Sequence, residues 1–187
     1  MIDQEAQDYF YKHVWQSNIH LFKHSGENLV KEINKHKPKF VIDAGCALNF
    51  FKGKIPNLVG YDPVFKEADI ICGHFDAPFK PECADVILAL GSINFGDEDL
   101  INKQFKEMLR VSKPGAIIYF RVMPEHNLNP YYPWTIEKVI QKTLEFNLSY
   151  IQEPKFIDRR RRSYLEHDLR TGERSLKRIF CQWKVNK

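Results

Sequence analysis

Phe40, Val41, Ile42 and Asp43, then Ala44, Gly45, Cys46 and Ala47, and further on Leu58, Val59, Gly60, Tyr61, Asp62 and Pro63 decide how this chain is read. Each of the two apolar runs has the length and composition of a buried strand, and each closes on an acid. A turn of small residues follows the first run. Two such strands side by side in a parallel sheet place both carboxylates at one edge, where side chains stay clear and a ligand can lie against backbone. The amides after the first strand are then expected to face that ligand.

The identity of the first acid narrows the ligand. A dinucleotide would put its pyrophosphate at this turn, where Asp43 repels it; a cationic ligand is attracted instead. S-adenosylmethionine, with its sulfonium and ammonium groups, has that chemistry, and an acid at the end of the second strand can accept hydrogen bonds from both ribose hydroxyls.

Composition sets the frame. The chain has 187 residues, 43% of them hydrophobic and 13% aromatic, enough for one core and few for two. No apolar run approaches a membrane span, and Met1, Ile2, Asp3, Gln4 and Glu5 do not resemble a signal peptide, so a cytoplasmic protein is expected. Cys46, Cys72, Cys83 and Cys181 lie far apart without a Cys-x-x-Cys pair, which predicts neither a disulfide framework nor a metal site. The formal charge of +4 is unevenly placed: residues 155–187 carry eleven Lys and Arg against four Asp and Glu.

From here the sequence resembles the class I S-adenosylmethionine-dependent methyltransferases along most of its length. Asp43 and Gly45 match the family's first motif, while Ala47 and Asn49 stand where its second and third glycines would be. Asn49 tolerates a positive φ, or can cap a short helix after it. Gly73, His74, Phe75, Asp76, Ala77, Pro78 and Phe79 resemble the adenine-binding stretch, and Glu107 to Gly115 resembles the family's helix-to-strand motif most closely. Asp85, opening an apolar strand after Pro78 and Phe79, matches a position with a structural role. The resemblance implies a Rossmann-like α/β fold: a mostly parallel sheet with a final antiparallel hairpin and helices on both faces. It implies S-adenosyl-L-methionine as cofactor, with Asp43, Ala44 and Gly45 at its methionine end, Asp62 at the ribose, Pro63, His74, Phe75 and Asp76 near adenine, and Leu90 at the neighbouring strand tip.

The remaining elements follow from periodicity. Helices are expected in two pieces from about Gln4 to His36, the first carrying Tyr9, Tyr11 and Trp15 as a lid or as core. A short helix is expected at 48–54, strands at 68–72, 85–90 and 117–122, and helices after Asp97 and over 135–146. The last two strands are expected at 150–157 and 178–185. As one domain, the chain divides into N-terminal helices (1–37), a cofactor-binding core (38–158), a basic hairpin (159–177) and a last strand (178–187).

Candidate acceptor-side residues sit at the carboxyl edge. His126 or Glu125 is a candidate base; Asn94, Tyr131, Tyr132 and Trp134 are candidate walls for a flat substrate. Arg160, within the run Arg159 to Arg162, is a candidate phosphate contact, and the run could bind nucleic acid or a phosphate-bearing ligand. The acceptor is not named by any motif. Three readings stand: a methyltransferase of unidentified acceptor, an inactive methyltransferase-like interaction module favoured by the lost glycines, and a nucleic-acid methyltransferase using the basic hairpin.

Overall fold

A computed structural model describes residues 26–75, 77–124, 131–158 and 177–187. The elements are α1 (Leu29–Lys35), β1 (Val41–Ala44), β2 (Leu58–Asp62), β3 (Ile70–Ile71), β4 (Ala84–Leu90), α2 (Glu98–Val111), β5 (Ser112–Val122), α3 (Ile136–Glu145), β6 (Leu148–Asp158) and β7 (Lys177–Val185). They build a seven-stranded sheet in the order β3-β2-β1-β4-β5-β7-β6. Neighbours from β3 through β5 pair parallel, and β7 runs antiparallel to both β5 and β6. The expected fold class is the one observed.

Alternation along the strands feeds two cores, one on each face. Val41, Val86, Leu88, Tyr119 and Phe180 pack under Leu29 and Ile33 of α1 and under Phe51 and Ile55. Ile42, Ile87, Ile118, Phe120 and Trp183 pack on the other face against Ile101, Phe105 and Met108 of α2 and Val139 of α3. Cover on both faces explains why the central strands read as continuous apolar runs. Asp97 and Thr135 cap α2 and α3, their side chains accepting from the amides of Leu100 and Lys138.

Three expectations need correction. The stretch 48–54 is a chain of turns and not a helix, because positive φ at Ala47, Asn49, Gly53 and Asn57 interrupts any helical run. The third strand shrinks to Ile70–Ile71, which lie in register with Tyr61 and Asp62 of β2, while the flanking amides of Asp69 and Cys72 donate to the carbonyls of Gly60 and Asp62. The fifth strand starts at Ser112, directly after α2, so Pro114 and Gly115 lie inside it. Of the two roles expected of Asn49, it takes the positive φ. The expected helix at the start of the chain, with Tyr9, Tyr11 and Trp15, and the run Arg159 to Arg162 lie outside the described residues.

Two polar clusters join elements at the edges of the sheet. Asp85 accepts from the amides of Lys39 and Phe40, each at 2.8 Å, and from Lys113 Nζ at 2.7 Å, locking the starts of β1, β4 and β5 together. Arg110 bonds both oxygens of Glu107 and donates to the Phe79 carbonyl at 2.9 Å, which fixes the loop before β4 to α2. On the α2 and α3 side, the fully buried Lys142 reaches Glu98, Asn102 and Glu145, pinning one helix to the other.

Replacing Asp85 by Ala removes three bonds, two to backbone amides, and is expected to lower unfolding free energy by about 2–3 kcal/mol in denaturant titrations. Partial desolvation of Asp85 is outweighed by Lys113 and the two amides, which hold its carboxyl below the usual range. Its contribution is therefore present at neutral pH and is lost as pH falls below about 4. Lys142→Met should cost on the order of 2 kcal/mol and loosen α3 before the sheet, read by hydrogen exchange at its amides.

Candidate functional site

The parallel strands bring their carboxyl ends together at β2, β1 and β4. Asp43 pairs across from Gly60 and Leu88, so Asp62, two residues beyond Gly60, projects from the same face as Asp43. Both carboxylates stand on the α1 face of the sheet and both are buried. Burial pushes the Asp43 carboxyl up to about 7, with Arg121 opposing that rise and Asp62 adding to it. Asp43 and Asp62 thus stand on one face at neighbouring strand tips.

The turn after β1 is closed more tightly than expected. The amides of Gly45 and Cys46 both donate to the Tyr61 carbonyl, at 2.9 and 3.0 Å, and Ala47 donates to Asp62 Oδ2 at 3.1 Å. The expectation that these amides face a ligand is thus corrected: with no helix after the turn, β2 supplies their acceptors. Gly45, at φ +70°, lies against Ser92, where an added Cβ would come within 2.4 Å of the serine Cβ. Gly60 is equally constrained, because a Cβ there would meet Asn49 Oδ1 at 2.7 Å. Asn49 spends its amide nitrogen on the Glu67 carbonyl and Asp69 Oδ2, both at 3.1 Å.

Asp62 carries a second load. Its Oδ1 accepts from the amides of Val64 and Phe65, at 2.9 and 3.0 Å, while Oδ2 accepts from Ala47. A carboxylate offers about four lone-pair positions, so one remains, on Oδ2. Asp62 can take one further donor and not the two that a bidentate ribose contact requires.

The expected adenine-side residues separate. His74 turns its ring beneath the sheet, Nδ1 at 2.9 Å from the Tyr61 hydroxyl, and lines a small cavity of about 20 Å³ with Ile87 and Met108. Burial drives its pKa down to about 4, so it is neutral at physiological pH. As placed, the imidazole faces the interior and not the strand tips. Pro63 and Phe75 are exposed, Ala44 packs into the core on the α2 face, and Asp76 lies outside the described residues. Leu90 is half-buried on the α1 face, at the tip of β4.

The acceptor-side expectations fare unevenly. Glu125, His126 and Arg160 lie outside the described residues. Trp134 is fully buried and donates through Nε1 to the Ile93 carbonyl at 2.8 Å, and Tyr132 is buried with its hydroxyl on Glu98. Both are core, because their polar tips find partners inside the fold, and neither walls a substrate. Asn94 braces the edge: Nδ2 donates to the Gly91 carbonyl at 2.7 Å, Oδ1 accepts from Met123 at 2.8 Å, and its carbonyl accepts from Tyr132. Tyr131, half-buried and packed on Phe95 with ring centres 4.7 Å apart, is the member of that set that reaches the surface.

Two residues escaped sequence reading. Arg121 of β5 lies on the α1 face and donates to the Leu90 carbonyl at 2.6 Å, and burial lowers its pKa to about 10, leaving it cationic at neutral pH. Ser92 puts a buried hydroxyl, with no hydrogen-bond partner, against the turn after β1. An arginine inside the apolar run Ile117 to Val122 was the available signal for the first; nothing in the sequence marks the second.

No protein-family model matches the chain, and no curated protein matches it in sequence. Solved structures do. The chain is similar to the 1,6-didemethyltoxoflavin-N1-methyltransferase of Burkholderia thailandensis, solved with S-adenosylhomocysteine, at TM-score 0.69 and 12% identity, over 99% of this chain and 86% of that one. It is similar to the putative methyltransferase of Haloferax volcanii solved with its Trm112 activator, at TM-score 0.71 and 12% identity, over 97% of each chain. It is also similar to the [4+2]-cyclase SpnF, at TM-score 0.63 and 12% identity, over 89% of this chain and 86% of that one. By its strand order and these likenesses, the chain has the fold of the class I S-adenosylmethionine-dependent methyltransferases.

Proposed function

We infer that this protein binds S-adenosylmethionine and transfers its methyl group to an acceptor. The observation that carries this reading is the pair of buried carboxylates, Asp43 and Asp62, on one face at adjacent strand tips of a methyltransferase fold. Ser92 supports it, since a buried hydroxyl without a partner at that edge suits the polar amino-acid end of such a ligand. The cofactor, when bound, supplies an electrophilic methyl group. Asp43 then faces the cationic methionine end, Ser92 Oγ contributes a hydrogen bond there, and Oδ2 of Asp62 receives one ribose hydroxyl. What the protein does for the reaction is to hold the reacting groups in line and exclude water.

One observation favours a second reading. The amides of Gly45, Cys46 and Ala47 are all engaged by β2, as in a turn adapted to close on itself, which suits a non-enzymatic module descended from the same fold. SpnF illustrates that this fold also serves a protein known as a cyclase, so the fold does not fix the reaction.

Calorimetry with S-adenosylhomocysteine separates the two. The enzyme reading expects micromolar binding, weakened tenfold or more in Asp62→Ala, with circular dichroism confirming a folded variant. Absence of heat from the wild type at about 1 mM ligand would leave the module. A pH titration tests Asp43: its carboxyl, raised to about 7, ionises as pH rises through neutrality, so affinity for cationic S-adenosylmethionine should climb across that window. Binding of the uncharged-sulfur product should climb less, and Asp43→Asn should flatten both curves.

A further inference from the structure

On the α1 face, a cavity of about 180 Å³ opens between α1 and the strands β5, β7 and β6. Its walls include Glu32, Arg121, Gln152, Lys155, Phe180 and Gln182. The register explains why they meet. Arg121 pairs across from Phe180, and Phe180 from Lys155, so three neighbouring strands turn these side chains to one side. Arg178, two residues before Phe180 on β7, projects from the same face, and its charge acts on Arg121.

The cavity adjoins the cofactor edge. Arg121 donates to the carbonyl of Leu90, the last residue of β4, and its charge is felt at Asp43. The polar inventory is unbalanced toward donors. Glu32 already accepts from the Tyr119 hydroxyl at 3.1 Å and Gln182 Nε2 at 2.9 Å. Gln152 Nε2 is buried without a hydrogen-bond partner. A buried donor of this kind costs about 1–3 kcal/mol unless an occupant accepts from it. Several ordered waters, at ~30 Å³ each, would fill the space, and so would an oxyanion on a short carbon stem.

We propose that this cavity binds an oxyanion, carboxylate or phosphate, carried by the methyl acceptor, with Arg121, Lys155 and the Gln152 side-chain amide as its donors. The acceptor is accordingly a small acidic molecule whose charged end sits beneath α1 and whose nucleophile points toward the tip of β4. This assignment rests on the methyltransferase reading for the word acceptor; the anion site itself does not.

The test is a titration of the full chain with succinate and, separately, inorganic phosphate, with and without saturating S-adenosylhomocysteine, following the Gln152 side-chain resonance by NMR. The proposal expects one of the two anions to shift that resonance with millimolar affinity, at least fivefold weaker in Lys155→Ser and undiminished by the bound homocysteine compound; in Gln152→Leu, where the backbone amide of Phe180 on the same cavity wall is followed instead, the affinity falls at least fivefold as well. The anion that binds identifies the headgroup. No shift with either anion overturns the site, and loss of the anion when the homocysteine compound binds overturns it as an acceptor site. Anion binding in a protein that ignores S-adenosylhomocysteine would sink the methyltransferase reading and leave the anion site standing.

Discussion

With positive φ at Ala47, Asn49, Gly53 and Asn57 keeping the crossover between β1 and β2 from winding into a helix, the first amides of that crossover must find acceptors elsewhere, and they find them on β2. A buried amide left unpaired is costly, so the pairing is close to obligatory. The Tyr61 carbonyl takes two, Asp62 takes Ala47, and Asp69 takes Gly60 at 3.0 Å while also holding Asn49. This network sets the shape of the turn, positions Asp62, and demands glycine at 60, because Asn49 and Cys46 fold back onto it.

The same constraint shapes the chemistry. A helical crossover would turn its first amides outward; here those amides are taken by β2, and the charges left at this edge are those of side chains. Asp43, Asp62 and Arg121 share one face and low solvent access, so each charge is felt strongly by the others. The strands of that face are divided by sign, carboxylates on β1 and β2 and cations on β5, β6 and β7, with the Glu32 carboxylate of α1 standing over the cationic part. Such a division suits two ligands of opposite charge meeting near the tip of β4.

Much of this arrangement was legible in the chain. Apolar runs of strand length, the acids that close them, and the helix opening after Asp97 are local signals, and strand alternation assigns their faces. The structural role of Asp85 followed from its place at a strand opening. Trp134 and Tyr132 were misassigned because aromatic, proline-rich loops look alike whether they line a site or fill a core; what separates them is the carbonyl of Ile93 and the carboxylate of Glu98, remote in sequence. His74 was misplaced for a similar reason, since a partner on β2 captures its ring.

The sequence by itself determined the apolar strands and the two acids that close the first pair, because these depend on periodicity and on residues a few positions apart, while the mostly parallel sheet and its closing hairpin were implied by the resemblance to a family. Only tertiary structure decided that the turn amides are consumed by β2, that Ser92 lies against Gly45, and that Arg121 gathers with Lys155 and Gln152 about one cavity. Those outcomes depend on strand order and register, which bring together residues 15 or more positions apart, and no local pattern encodes them.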